Sequence, residues 1–323
     1  LTFLDGVEDL MLKIRVLLEG AVKRNLAEGI LLSGGLDTSI LASIASKFKS
    51  LKAFTVAFTG GEALDLEYAK LIAKKFGFTH QVYRFGEEEL YRVLPTVVKV
   101  TGSFDPMEIR NSVAIYIGLK VAKDSSVATV MTGDGADELF AGYSFLFGLN
   151  REDLDLELRK LWSVMEFSSV KLARALGIKA KLPYLDPEFK SFAISIDPKY
   201  KVRFENGKIY GKWILRKAFE DSLPRSIVWR DKVPIEYGCG TTVLPELFDR
   251  KISDEEFSEK RRRYLESDGV NVRDKEQLFY YEIYRTVIGV PHPTDMRGKV
   301  CPYCHSSAPK NATYCRICGA YPI

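Results

Sequence analysis

The 323-residue sequence predicts an α/β protein: a parallel sheet with helices on both faces, then a helical region, then a small cysteine-rich module. Three observations carry that expectation. Short apolar runs of strand length alternate with helix-length stretches through the first half, the pattern of parallel strands joined by crossover helices. From about Arg151 the strand signals fade and amphipathic helical windows dominate. Four of the five cysteines sit beyond residue 300 as two matched pairs.

The elements follow in order. Gly29-Ile30-Leu31-Leu32 reads as a short buried strand, after which Ile40, Leu41 and Ile44 recur at helical spacing. A second strand is expected over Leu51–Phe58, with a helix from about Asp65 to Phe76. A third strand over His80–Phe85 is followed by more helix. The helical stretch after Pro106 leads to the fourth strand, Val127–Met131. Lys212–Phe219 and Lys275–Ile288 read as amphipathic helices, and their dense aromatics as core packing. Pro291-His292-Pro293 stops the last helix, and residues 294–298 read as a linker. Residues 1–150 are expected to form the α/β core, 151–290 the helical part, and 291–323 the linker and cysteine module.

Composition narrows the function classes. The chain is 46% hydrophobic and 28% charged, ordinary for a core-forming protein. No apolar run approaches the ~18 residues a membrane span needs. The start, Leu1-Thr2-Phe3-Leu4, shows no basic region leading into an apolar stretch, so a cytoplasmic location is expected. A net charge of +4 is too mild to imply a nucleic-acid partner by itself. The basic run Glu259-Lys260-Arg261-Arg262-Arg263 reads as a solvated helix face. Five cysteines, four of them at one end, do not make an extracellular disulfide framework.

The most specific string is Ser33-Gly34-Gly35-Leu36-Asp37-Thr38-Ser39, between a buried strand and a helix. Two glycines let the backbone turn sharply and approach a ligand. Free amides of the turn and of the first helical turn then face an anion, favoured by the helix dipole. Ser33, Thr38 and Ser39 add hydroxyl donors. Asp37 cannot serve a phosphate directly, because like charges repel, and is best explained as a Mg²⁺ ligand bridging to phosphate oxygens. The string resembles the PP-loop of N-type ATP pyrophosphatases, which cut ATP between the α and β phosphates. No Gly-x-x-x-x-Gly-Lys-Ser/Thr loop occurs.

After the fourth strand comes Thr132-Gly133-Asp134-Gly135-Ala136-Asp137-Glu138-Leu139-Phe140-Ala141-Gly142-Tyr143. Three carboxylates in five residues, at the C-terminal end of a parallel strand, lie where open α/β sheets bind ligands. Their mutual repulsion calls for a cation or a basic partner. This string resembles the asparagine synthetase signature, and other pieces fall in the same order. Ala180-Lys181-Leu182-Pro183-Tyr184-Leu185-Asp186 is similar to the family's segment ending Pro-Phe/Tyr-Leu-Asp. Lys212-Trp213-Ile214-Leu215-Arg216, then Leu223-Pro224, then Trp229-Arg230-Asp231-Lys232, is similar to its C-terminal helix and lysine loop. The resemblance covers about residues 5 to 290.

The resemblance implies an AMP-forming ligase that uses ATP and Mg²⁺. A substrate carboxylate, that of aspartate in the family, attacks the α-phosphate to give an acyl-adenylate and pyrophosphate, and ammonia then displaces AMP. It implies that Ser33, Gly34, Gly35, Asp37, Thr38, Ser39 and Gly133 bind ATP and pyrophosphate, with Asp37 and Asp137 as metal carboxylates. Asp134 is then the acidic group near the incoming amine, and Lys232 the lysine that stabilises the adenylation transition state. Two departures stand out. Residue 1 is Leu where the glutamine-using members begin with a nucleophilic cysteine, so glutamine hydrolysis by this chain is not expected, and ammonia is expected to arrive free or from a separate glutaminase chain. Where the family usually reads Gly-Val/Ile-Glu-Ala-Arg, this chain has Gly177-Ile178-Lys179-Ala180-Lys181. Either Lys179 changes the pocket charge, which puts aspartate in doubt, or it swings to solvent.

Cys301-x₂-Cys304-x₁₀-Cys315-x₂-Cys318 has the ligand spacing of a Cys₄ zinc ribbon. A pair of redox dithiols is the alternative. The alternative function is a tRNA-modifying enzyme transferring sulfur or an amine, with the ribbon holding RNA. Cys239, in Tyr237-Gly238-Cys239-Gly240, would then relay sulfur, although a lone cysteine is more often inert.

Overall fold

A computed structural model describes residues 2–205, 207–295 and 298–323. Helix α1 (Thr2–Arg24) comes first. Strands and helices then alternate: β1 (Gly29–Leu31), α2 (Leu36–Ala45), β2 (Lys52–Phe58), α3 (Leu66–Lys75), β3 (Thr79–Phe85), α4 (Glu87–Thr101), α5 (Pro106–Asp124) and β4 (Thr129–Met131). Next come α6 (Ala136–Phe140), α7 (Arg151–Ser163), α8 (Ser168–Leu176), β5 (Lys179–Lys181) and α9 (Pro187–Ser195). A hairpin of β6 (Arg203–Glu205) and β7 (Lys208–Tyr210) leads into α10 (Trp213–Ala218), α11 (Arg225–Val228) and α12 (Ile235–Cys239). Helices α13 (Leu244–Lys251), α14 (Asp254–Asp268) and α15 (Lys275–Val287) precede the short strands β8 (Lys299–Val300) and β9 (Ser307–Ala308).

The main sheet has the order β3-β2-β1-β4-β5. β1 pairs parallel with both β2 and β4, and β4 pairs parallel with β5. In β2, Ala53, Phe54 and Thr55 are buried in succession, so both faces of the sheet are covered, as the near-continuous apolar run predicts. The order turns at β1: the chain moves outward to β2 and β3, then returns to β4 on the other side. The crevice beyond the carboxyl ends of strands on either side of such a reversal is where open α/β sheets take ligands.

Contacts divide the chain into two units that interleave along the sequence. The first comprises residues 1–55, 64–83 and 118–234. Its core joins Ile14 and Leu18 of α1, Ile40 and Leu41 of α2, Met131 of β4, and Ile214 and Leu215 of α10. The second comprises residues 56–63, 84–117 and 235–323. Within it Phe104 packs its ring against Tyr281 and Tyr284, with centroids 5.0 and 5.1 Å away, while Phe248 meets Phe279 at 4.6 Å.

Three sequence expectations bear comment. β5 enters the sheet from inside the stretch that reads as helical; a three-residue Lys-Ala-Lys strand is too short and too charged to show an alternation signal, and it exists because its backbone pairs with β4. The basic run lies on α14, where Arg261, Arg262 and Arg263 are exposed and Lys260 pairs with Glu256 and Glu282. The linker expected over 294–298 lies partly outside the described residues. Among the described residues no helix is long and apolar enough to cross a membrane.

Candidate active site

The site grows from the two loops that follow β1 and β4. Ser33, Gly34 and Gly35 connect β1 to α2, with Gly35 as the N-cap of the helix in extended backbone. Ser33 accepts the Gly35 amide at 3.2 Å and shares a 3.1 Å hydroxyl contact with Thr38. Gly34 has φ +71°, and a β-carbon there would stand 2.3 Å from the Ala69 nitrogen and 2.4 Å from the Tyr68 carbonyl carbon. The loop therefore lies directly against α3, a position only glycine fills. Ser39 is fully buried, and its hydroxyl has no hydrogen-bond partner among the described residues.

Gly133 opens the second loop, and Asp134 and Asp137 follow. Asp134 accepts the Thr132 hydroxyl at 2.8 Å and the Ser169 hydroxyl. Burial raises its pKa, and nearby Asp137 and Asp37 push the same way, against those two hydrogen bonds. Asp137 is the opposite case. Burial works to raise its pKa, but the ammoniums of Lys212 and Lys232 outweigh it and hold the carboxyl below the usual range.

Asp37 and Asp137 meet at one cation. Lys212 Nζ donates to Asp37 Oδ1 and Oδ2 at 2.8 and 2.6 Å and lies 2.8 Å from Asp137 Oδ1. Lys232 Nζ pairs with the other Asp137 oxygen and sits 5.2 Å from the centroid of the Tyr143 ring. Tyr143 in turn donates to Glu138 Oε1 at 2.5 Å, and Trp162 Nε1 donates to the Glu138 carbonyl. The Asp37 carbonyl accepts the Tyr184 hydroxyl at 3.0 Å. Gly142 leaves the space this cluster needs, since a β-carbon there would fall 1.9 Å from Asp137 Oδ1 and 2.3 Å from Lys212 Cε.

The fold thus gathers Ser33, Gly34, Gly35, Asp37, Thr38, Ser39, Gly133, Asp134, Asp137 and Lys232 around the ends of β1 and β4. Sequence reasoning missed Lys212 as a site residue. A signal existed: Lys212 is the N-cap of α10, where the helix dipole disfavours a cation unless carboxylates face it. Lys179, by contrast, begins β5 opposite Thr129, with an exposed side chain. Lys181 stands opposite Met131, and its carbonyl accepts the Thr132 amide at 3.0 Å.

The chemistry of the donor set fits a divalent cation. Two carboxylates converge on one charge, and Asp137 Oδ1, though within ion-pair reach of Lys212, has no partner in hydrogen-bonding geometry among the described residues.

A second cluster lies in the cysteine module. The thiols of Cys301, Cys304, Cys315 and Cys318 are buried, and their sulfur atoms lie within 4.8 Å of one another. Two of the separations, Cys301–Cys318 and Cys304–Cys315, are 3.7 Å. Four thiolates at ~2.3 Å from one tetrahedral zinc ion stand about 3.8 Å apart, whereas a disulfide needs about 2.05 Å. Cys239 is buried in α12, its sulfur 3.4 Å from the Thr241 hydroxyl. It presents no exposed thiol for a relay.

The sequence matches the asparagine synthase family over residues 13–161 and 156–293. A glutamine-hydrolyzing asparagine synthetase B of Escherichia coli (strain K12) is 30% identical over 306 residues, covering 86% of this chain and 54% of that protein. A probable glutamine-hydrolyzing asparagine synthetase of Dictyostelium discoideum is 31% identical over 290 residues, covering 80% of this chain and 51% of its own length. The chain spans about half the length of the curated relatives it matches.

Proposed function

The chain belongs to the asparagine synthase family, and from that premise we propose that it is an AMP-forming amide ligase that adenylates an aspartate-like carboxylate and transfers ammonia to it. The observation that carries the reading is the meeting of Asp37 and Asp137, from two different loops, beside a glycine turn and two lysine ammoniums.

In this reading the Ser33–Ser39 turn holds the β and γ phosphates with its amides and with the hydroxyls of Ser33, Thr38 and Ser39. Gly133 lines the same anion site. Asp37 and Asp137 hold Mg²⁺, which when bound neutralises the departing pyrophosphate. The substrate carboxylate oxygen bonds to the α-phosphorus as the bond to the β-phosphate oxygen breaks. Lys232, one-third exposed and anchored by a single carboxylate, faces the charge that builds on the α-phosphoryl group. Ammonia nitrogen then attacks the acyl carbon and AMP leaves. Asp134 takes the proton that the new amide sheds, a role suited to a carboxyl made more basic by burial. The four module cysteines hold one Zn²⁺.

The test is a product assay on the purified chain with ATP, Mg²⁺ and aspartate, supplying ammonium or glutamine in parallel. AMP, pyrophosphate and asparagine in equal amounts with ammonium are expected, falling about 10²–10³-fold in Lys232→Ala through loss of transition-state stabilisation. AMP that is independent of aspartate and appears only on adding tRNA would overturn the ligase reading in favour of nucleotide modification.

A further inference from the structure

We propose that Lys212 is a built-in counter-ion that occupies the cation position between Asp37 and Asp137 and suppresses metal binding there until a phosphate-bearing ligand arrives. The inference rests on the reading of Asp37 and Asp137 as metal carboxylates.

Geometry places the ammonium there. Its side chain is 4% exposed, and three carboxylate oxygens, two from Asp37 and one from Asp137, lie within 2.8 Å of Nζ. Two of the three ammonium donors go to Asp37, and Asp137 Oδ1 adds an ion-pair contact to the same charge. The position is held against local preference. Lys212 has φ +56°, a left-handed conformation that a β-carbon disfavours, and it caps the positive end of α10. Gly142 supplies the clearance for the Lys212 stem. Backbone and dipole both work against this placement, and the two carboxylates are what compensates.

The charge balance then decides when a divalent cation enters. Asp37 and Asp137 carry two negative charges, and Lys212 and Lys232 carry two positive ones. Taken alone, these four groups are already neutral. A divalent ion entering them with no anion present would meet two ammoniums at close range. A pyrophosphate-bearing ligand brings the missing negative charge, and Lys212 can then turn from the carboxylates toward phosphate oxygens. Lys212 thereby couples metal entry to nucleotide entry, which keeps the site from filling with metal alone.

The experiment is a Mn²⁺ titration followed by electron paramagnetic resonance, on wild type, Lys212→Met and Lys212→Arg, with and without pyrophosphate. Without pyrophosphate, K212M is expected to bind Mn²⁺ at least ~10-fold more tightly than wild type, while K212R, which keeps the charge, stays within about threefold of wild type. Pyrophosphate should narrow the gap between K212M and wild type. Equal Mn²⁺ affinity of K212M and wild type without pyrophosphate overturns the proposal. If K212M does not fold in metal-free buffer, Mn²⁺ should restore a cooperative thermal transition; failure of Mn²⁺ to do so also overturns it. Asp37→Asn separates this inference from the reading beneath it. Unchanged Mn²⁺ binding in D37N with pyrophosphate would remove the metal assignment itself, whereas the product assay on wild type tests the ligase reading independently of Lys212.

Discussion

Replacing Gly34 with alanine places a methyl carbon 2.3 Å from the Ala69 nitrogen and 2.4 Å from the Tyr68 carbonyl carbon, both backbone atoms of the α3 region. Neither can step aside as a flexible side chain would. Two costs add. A non-glycine residue at φ +71° loses about 1–2 kcal/mol, and forcing an extra carbon into a packed contact costs a further ~1–3 kcal/mol. Gly77 supplies the control, because it has φ +68° but nothing within 4 Å of its β-carbon position. Gly77→Ala therefore carries the backbone cost alone. On the scale of about 2–4 °C per kcal/mol for a large domain, G77A should melt ~2–8 °C below wild type and G34A roughly 4–20 °C below. Calorimetry on the three proteins measures this, and AMP formation measured alongside should survive in G77A and be lost in G34A, whose anion loop is pushed off α3. Melting of G34A within about 1 °C of G77A would refute the close approach on which the loop's geometry rests.

Two further outcomes follow from other parts of the molecule. Lys201 is fully buried, its ammonium 4.6 Å from the Trp162 ring centroid and without a hydrogen-bond partner among the described residues, and burial pulls its pKa from 10.5 down to about 7. The folded protein then holds fewer protons than the unfolded chain between those values, so stability should rise with pH from about 7 toward 10.5. Lys201→Met should lose that slope and gain stability at pH 7, read by denaturant unfolding at several pH values; an unchanged slope would show that Lys201 is not its source. In the cysteine module, the Phe104 amide donates to the Ile317 carbonyl at 2.7 Å, the Asn271 amide donates to the Tyr303 carbonyl at 2.8 Å, and Gln277 Nε2 reaches the Cys318 carbonyl at 2.6 Å. Each cysteine pair is thus clasped to a different segment of its own unit. On the proposed Zn²⁺ reading, chelation should speed hydrogen exchange at both amides by ~10-fold or more, because the ion would join the two pairs. Unchanged exchange would make the module self-supporting without metal.

Local chemistry was legible wherever a few consecutive residues carry it. The turn at Ser33–Ser39 needs glycines at their own positions, the acidic loop announces itself by its repulsion, and the four cysteines by their spacing. Strands β1, β2, β3 and β4 fall where apolar runs place them. β5 was not legible, because its three residues become a strand only by pairing with β4. Nor did consecutive sequence show that α4 shares a unit with α15, although the two stand far apart along the chain. The position of Lys179 in the sheet was likewise set by pairing: opposite Thr129, it stands at the end of the strand pair away from the loop that carries Asp134 and Asp137. Its side chain is exposed.

By itself the sequence determined the kinds of group available: a glycine turn with hydroxyls and one carboxylate, a second acidic loop, a lysine loop, and four thiols at ligand spacing. It determined these because each depends on φ, helix start and side-chain type within a few residues. Only the tertiary structure decided that Asp37 and Asp137 share one ammonium, that of Lys212, 175 positions from Asp37. The parallel order β3-β2-β1-β4-β5 sets β1 beside β4 and brings their loops to one edge. Charges from distant segments then settle against one another at less than 3 Å, where burial makes an unpaired carboxylate too costly to keep.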